Sequence, residues 1–130
     1  MTGGVITKGG DGMISSDIIR GYNDIFILSI LNEGDSYGYA ISKKITDLSQ
    51  DLYTIKETTL YSAFTRLKKN GFITDYPGEK THGRARTYYT ITELGKQNLK
   101  NKRNEWQLTK RIVENIIQGG ETYENFCGIY

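Results

Sequence analysis

Four hydroxyl-bearing residues fall within five positions, Thr58, Thr59, Tyr61 and Ser62, and the cations Arg66, Lys68 and Lys69 follow them. Hydroxyls bond phosphate oxygens or base edges without adding charge, and cations beside them attract a polyanion. Solvated helix faces more commonly carry Glu and Lys, so this composition reads as a contact surface for duplex DNA. The stretch His82-Gly83-Arg84-Ala85-Arg86 is a second candidate. Glycine permits close backbone approach, and arginine can reach a phosphate or enter the minor groove. Tyr37 and Tyr39 bracket Gly38, and Lys43 and Lys44 follow about one turn later. The expected DNA contacts are Tyr37, Tyr39, Lys43, Thr58, Thr59, Tyr61, Ser62, Arg66, Lys69, His82, Arg84 and Arg86. Plainer roles stand beside several of them. Thr58 or Thr59 could cap a helix, the two early tyrosines could simply pack, and His82 could be a solvated loop residue.

The distribution of charge supports the first reading. From Lys56 to Arg86 seven basic residues face three acidic ones, which leaves +4 on this segment against +2 for the whole chain. Positive charge gathers beside the hydroxyls. The same inventory excludes other chemistry. His82 is the only histidine and Cys127 the only cysteine, so neither the usual zinc spacing nor a disulfide within the chain can be assembled. No paired carboxylates accompany a nucleophile, and no catalytic set emerges. No metal, cofactor or enzymatic activity is expected.

The elements that must position these residues follow from periodicity. Ser15 or Ser16 can cap a first helix in which Ile18, Ile19, Tyr22, Ile25, Phe26, Ile27, Leu28, Ile30 and Leu31 leave few polar gaps, so it should lie centrally. Gly34 marks its stop. Ser36 is expected to cap a second helix to about Leu48, with Ile41, Ile45 and Leu48 inward. A third helix from about Lys56 to Asn70 turns Leu60, Phe64 and Leu67 inward, and Gly71 ends it. Strands are expected at 72–76 and 86–91, joined by the turn-rich segment 77–85, with Pro77 at the strand exit where a missing donor costs little. Three helices and a hairpin make a winged helix-turn-helix, whose third helix enters the major groove.

Thr92 then caps a long helix reaching about Gln118. Leu99, Trp106 and Val113 recur every seven residues, and Ile116 and Ile117 broaden the far end. So long a helix has little of its own domain to pack on, and this stripe is expected to meet a second copy in a homodimer. Folding back on its own domain is the alternative. The expected fold class is mainly α with a small β-hairpin (α+β), a winged helix-turn-helix plus a C-terminal dimerisation helix. The organisation reads as a flexible, glycine-rich leader over 1–14, the DNA-binding domain over 15–91, the helix over 92–118 and a tail over 119–130. The lone cysteine, the lack of any apolar run of about 18 residues and an N-terminus unlike a signal peptide fit a cytoplasmic protein that does not engage a membrane.

An ordered series of short motifs extends this reading. Tyr37-Gly38-Tyr39-Ala40-Ile41, Thr59-Leu60-Tyr61, Arg66-Leu67, Gly71-Phe72-Ile73, Gly83-Arg84-Ala85-Arg86-Thr87-Tyr88-Tyr89 and Thr90-Ile91-Thr92-Glu93-Leu94-Gly95 together resemble the PadR family of transcriptional regulators. The single long terminal helix is similar to the short, LmrR-like subfamily. The resemblance implies a homodimeric repressor on an inverted-repeat operator. It also implies that Trp106, in the matching place counted from Gly95, lines a pore between protomers and stacks on planar aromatic or cationic ligands. Two indole faces across a two-fold axis can sandwich such a molecule, although Trp106 could equally anchor the dimer seam. A winged-helix module for protein–protein contact, without ligand sensing, is the alternative. Such a module would have little use for a basic wing and a hydroxyl-rich third helix.

Overall fold

The computed structural model describes residues 14–81 and 84–119. The chain divides into two compact units, Met1–Leu99 and Lys100–Tyr130. In the first unit, α1 (Ser16–Ile19) runs through a 3-10 turn (Arg20–Tyr22) into α2 (Asn23–Leu31). One helix was expected here. The break falls at Gly21, the residue least able to hold a helix. The Ser15 hydroxyl accepts from the Asp17 amide at 3.1 Å and caps the start. In the second segment Ile27 and Leu28 are fully enclosed, whereas in α1 Ile19 is only partly buried against the core and Ile18 is exposed.

Ser36 does not cap the next helix. Ser36–Tyr37 form a short strand, β1, and α3 (Gly38–Leu48) begins directly after it, with Tyr37 at the cap position. Ile41 and Ile45 are buried, but Leu48 is 69% exposed, because the last turn of α3 runs past the core. In the turn that follows, Gln50 and Asp51 have φ of 56° and 66°. The Ser49 hydroxyl bonds both the amide and the carbonyl of Tyr53 there. The Tyr53 hydroxyl donates to the enclosed Asn23 side chain at 2.8 Å, which gives a partner to the one polar side chain buried in this core among the described residues.

The next helix, α4 (Glu57–Lys69), buries Leu60, Ala63, Phe64 and Leu67. Gly71, at φ 79°, closes it: its amide bonds the Lys68 carbonyl while the Phe72 amide reaches back to Leu67, two bonds that satisfy otherwise open carbonyls. β2 (Ile73–Thr81) and β3 (Arg84–Ile91) form an antiparallel hairpin, and β1 pairs along the other side of β3, giving the order β1-β3-β2. The pairing runs from Ile73 opposite Ile91 past Tyr76 opposite Tyr88 to Thr81 opposite Arg84, with an irregularity between Pro77 and Lys80. Both strands therefore continue through residues expected to form a loop. β2 is an edge strand, where proline and a bulge are tolerated.

Thr92 links the hairpin to α5 (Glu93–Ile117). Its hydroxyl accepts from the Gly95 amide at 3.0 Å and donates to the Gly71 carbonyl at 2.6 Å. Leu99 on this helix is 2% exposed and belongs to the core of the first unit. That corrects its placement as a dimerisation residue: the domain interior already claims it. From Lys100 onward α5 carries Trp106, Leu108, Ile112, Val113, Ile116 and Ile117 exposed. Among the described residues, no helix is long and apolar enough to cross a membrane.

Candidate nucleic-acid interface

The face of α4 away from its core stripe leaves Thr58, Tyr61, Ser62, Thr65, Arg66 and Lys69 exposed, with Thr59 half-buried. Neither threonine caps the helix. Lys56 occupies the cap position and offers no side-chain bond, so the first-turn amides have no side-chain cap and the threonine hydroxyls are not used for one. The Thr65 hydroxyl is turned back onto the Tyr61 carbonyl at 3.0 Å. Tyr61 rests edge-on against Phe64, with ring centroids 5.3 Å apart, and keeps 44% of its surface. Its hydroxyl lies where a side chain on Gly38 would project, since a Cβ there would come within 2.3 Å. Gly38 thus lets the two helices of the helix-turn-helix approach closely at the exposed surface.

Several cations of this segment are held by acids. The Arg66 guanidinium grips both oxygens of Asp24 on α2, with Nε at 3.3 Å, and this carboxylate holds the arginine above its usual pKa. Lys68 pairs with Asp75 at 2.7 Å and Lys43 with Asp47 at 3.3 Å. Lys44 stands 3.9 Å from Glu33. The Lys43 and Lys44 pairs are half exposed or more, and exchanging them for a phosphate contact costs little, whereas the Asp24 side chain keeps only 23% of its surface. Among the described residues, Lys69 has no acidic partner.

Beside α4, a cleft of about 420 Å³ opens between the start of α3 and β3, lined by Tyr37, Tyr39, Tyr61, Arg86 and Thr87. Tyr39 is 70% exposed. Arg86 lies over the Tyr37 ring with its guanidinium carbon 4.2 Å from the centroid, within cation–π range. The fold therefore gathers Tyr37, Tyr39, Tyr61 and Arg86 at one cleft, with Thr58, Ser62 and Lys69 along the adjoining helix. Lys43 stands on the outer face of α3. Arg84 pairs with Thr81 at the tip of the hairpin, its side chain outside the described residues, and His82 lies outside them altogether.

Asp35, Tyr76 and Tyr88 escaped the reading of the sequence. The Tyr76 hydroxyl donates to Asp35 at 2.6 Å, and the Tyr76 and Tyr88 rings stack at 5.8 Å. Bonds from Tyr76 and Thr90 hold the Asp35 carboxyl below its usual range, and that carboxylate raises the Tyr76 phenol. Tyr76 in one expected strand and the Tyr88-Tyr89 pair in the next were the available signal.

Residues 27–101 match the family described as transcriptional regulator PadR-like. An uncharacterised protein of Lysinibacillus sphaericus is 43% identical over 109 residues, which cover 84% of this chain and 100% of that protein. The structure of a transcriptional regulator from Clostridium thermocellum is 58% identical, over 79% of this chain and 97% of that one, with a TM-score of 0.74. The crystal structure of Bacillus subtilis PadR in complex with operator DNA is 27% identical, with a TM-score of 0.55, over 60% of this chain and 45% of that one.

Proposed function

Because this chain belongs to the PadR-like family of transcriptional regulators, we propose that it represses transcription as a homodimer bound to an inverted-repeat operator and is released by planar aromatic or cationic ligands. Members of this family are regulators of transcription, not enzymes. The observation that carries the reading is the exposed face of α4, where Thr58, Tyr61 and Ser62 stand beside Lys69 and the Arg86 cleft. Hydroxyls near an uncapped helix start suit base edges and phosphates, and the cations suit the backbone. The 27% identical Bacillus subtilis protein was solved on operator DNA, which supports the same use of this fold here.

Dimerisation rests on the exposed stripe of α5. Val113, Ile116 and Ile117 keep 44%, 74% and 77% of their surface, more apolar area than a lone helix leaves to water without reason. Trp106, at 39%, stands on the same segment and would present its ring to a planar cation at the two-fold axis. Two copies related by a two-fold would offer one α4 helix to each half of an inverted repeat.

The test is affinity selection of genomic fragments by the full chain, sequenced with and without a planar cationic dye. The expected result is a set of fragments sharing an inverted repeat, with recovery lowered by dye that also quenches the single tryptophan. Unenriched fragments would count against operator binding, and a broad dye panel that leaves Trp106 fluorescence unchanged would remove the ligand from the account.

A further inference from the structure

The outer face of the sheet carries a row of tyrosines that crosses all three strands. Tyr37 on β1 and Tyr76 on β2 are both paired with Tyr88 on β3, so the three side chains share one register. Tyr37 meets Tyr88 at 5.4 Å and Tyr88 stacks on Tyr76 at 5.8 Å. The row is tied at one end by the 2.6 Å bond from Tyr76 to Asp35. At its other end Arg86, two residues from Tyr88 and hence on the same face, lies over Tyr37. Gly78 belongs to the arrangement, because a Cβ there would fall 2.1 Å from the Tyr88 ring. The irregular stretch of β2 thus leaves room for the stack.

We propose that Asp35, Tyr76 and Tyr88 are positioning residues, which brace Tyr37 so that Arg86 is held ready for one phosphodiester group of the DNA backbone in the adjoining cleft. This inference rests on the DNA-binding reading given above and names how one contact of that site is prepared. An arginine on a solvated strand samples many rotamers, and fixing it costs binding energy. A guanidinium already laid on a braced ring loses less when a phosphate arrives. The same arginine lines the cleft that Tyr39 and Tyr61 also line. Asp35, two residues before Tyr37, stands beside Thr90 on one side of the row, with Arg86 on the other, and its carboxylate is tied to the Tyr76 phenol.

The test is binding of the full chain to a mixed-sequence DNA duplex, followed across about 50 to 200 mM salt, with thermal unfolding measured in parallel. Arg86→Gln should make the log–log salt slope less negative by about 0.9, the mark of one lost phosphate contact. Tyr37→Leu should keep the slope, since the charge remains, but bind about two- to ten-fold more weakly. Tyr37→Phe, which keeps the ring, should bind as the unaltered chain does. Tyr76→Phe, which keeps the stack but removes the bond to Asp35, should fall between these two. A role confined to sheet stability would move the unfolding temperature in Tyr37→Leu and leave its affinity equal to that of Tyr37→Phe; that outcome overturns the proposal, as does an unchanged slope in Arg86→Gln. Should the unaltered chain ignore duplex DNA, the DNA-binding reading itself falls and this one with it.

Discussion

Tyr88 and Tyr89 are neighbours in one strand and belong to different worlds. Tyr89 is 6% exposed and stacks on Phe64 with centroids 4.0 Å apart, inside the core that α2, α3 and α4 share. Tyr88 faces outward between Tyr37 and Tyr76, in a row that buries little and leads to a cation. The two-residue period of a strand separates them. One face fixes the fold by packing, and the other arranges charge at a surface. The same residue type serves both because a phenol is an apolar body with a polar tip.

The largest effect should come from the inner face. Phe64 is 2% exposed, and Phe64→Ala should lower stability by about 3–5 kcal/mol in urea unfolding, through lost burial and the cavity left beside Tyr89. An equal cost for Tyr88→Ala would erase the distinction between the faces; about 0.2–1 kcal/mol is expected there, the usual worth of a cross-strand pair.

A finer test uses the phenols. Tyr53 and Tyr89 are raised above the ordinary pKa first by burial, whereas Tyr76 is raised first by its bond to Asp35. All three ionise less readily folded than unfolded. Their contribution is therefore fully present below about pH 10 and is lost as pH rises through their higher folded values. Asp35→Asn should return the Tyr76 phenol toward its ordinary value while Tyr53 and Tyr89 stay raised, as followed by NMR or ultraviolet titration. A shift in Tyr89 would show that the faces are coupled. At the acid end, the depressed Asp35 carboxyl stabilises the fold above the ordinary carboxylate pKa, and this is lost as pH falls through its own lower value.

Much of this division was legible in the sequence. The stripe Leu60, Phe64 and Leu67 is single-sided, so helical spacing alone separates core from surface and leaves Thr58, Tyr61 and Ser62 outside. Thr92 announces its helix by residue type. What stayed hidden is non-local. β1 is only two residues long, too short to show a period, and its partners Tyr88 and Tyr89 lie some fifty positions away. The bond from Arg66 to Asp24 spans 42 positions and changes a free cation into a paired one. Leu99 keeps the seven-residue spacing of Trp106 and Val113, yet the core captures it, because spacing along a helix does not say which surface meets it. Pro77 and Gly78 look like a turn; an edge strand with a bulge absorbs both.

The central claim is that the hydroxyl-rich face of α4 and the Arg86 cleft meet duplex DNA in pairs, joined through the exposed stripe of α5. Native mass measurement of the full chain with a duplex that it selects, repeated over rising salt, tests this most directly. Two chains per duplex, lost steeply as salt rises, is the result expected. A chain that stays monomeric and leaves the duplex bare at low ionic strength would contradict it.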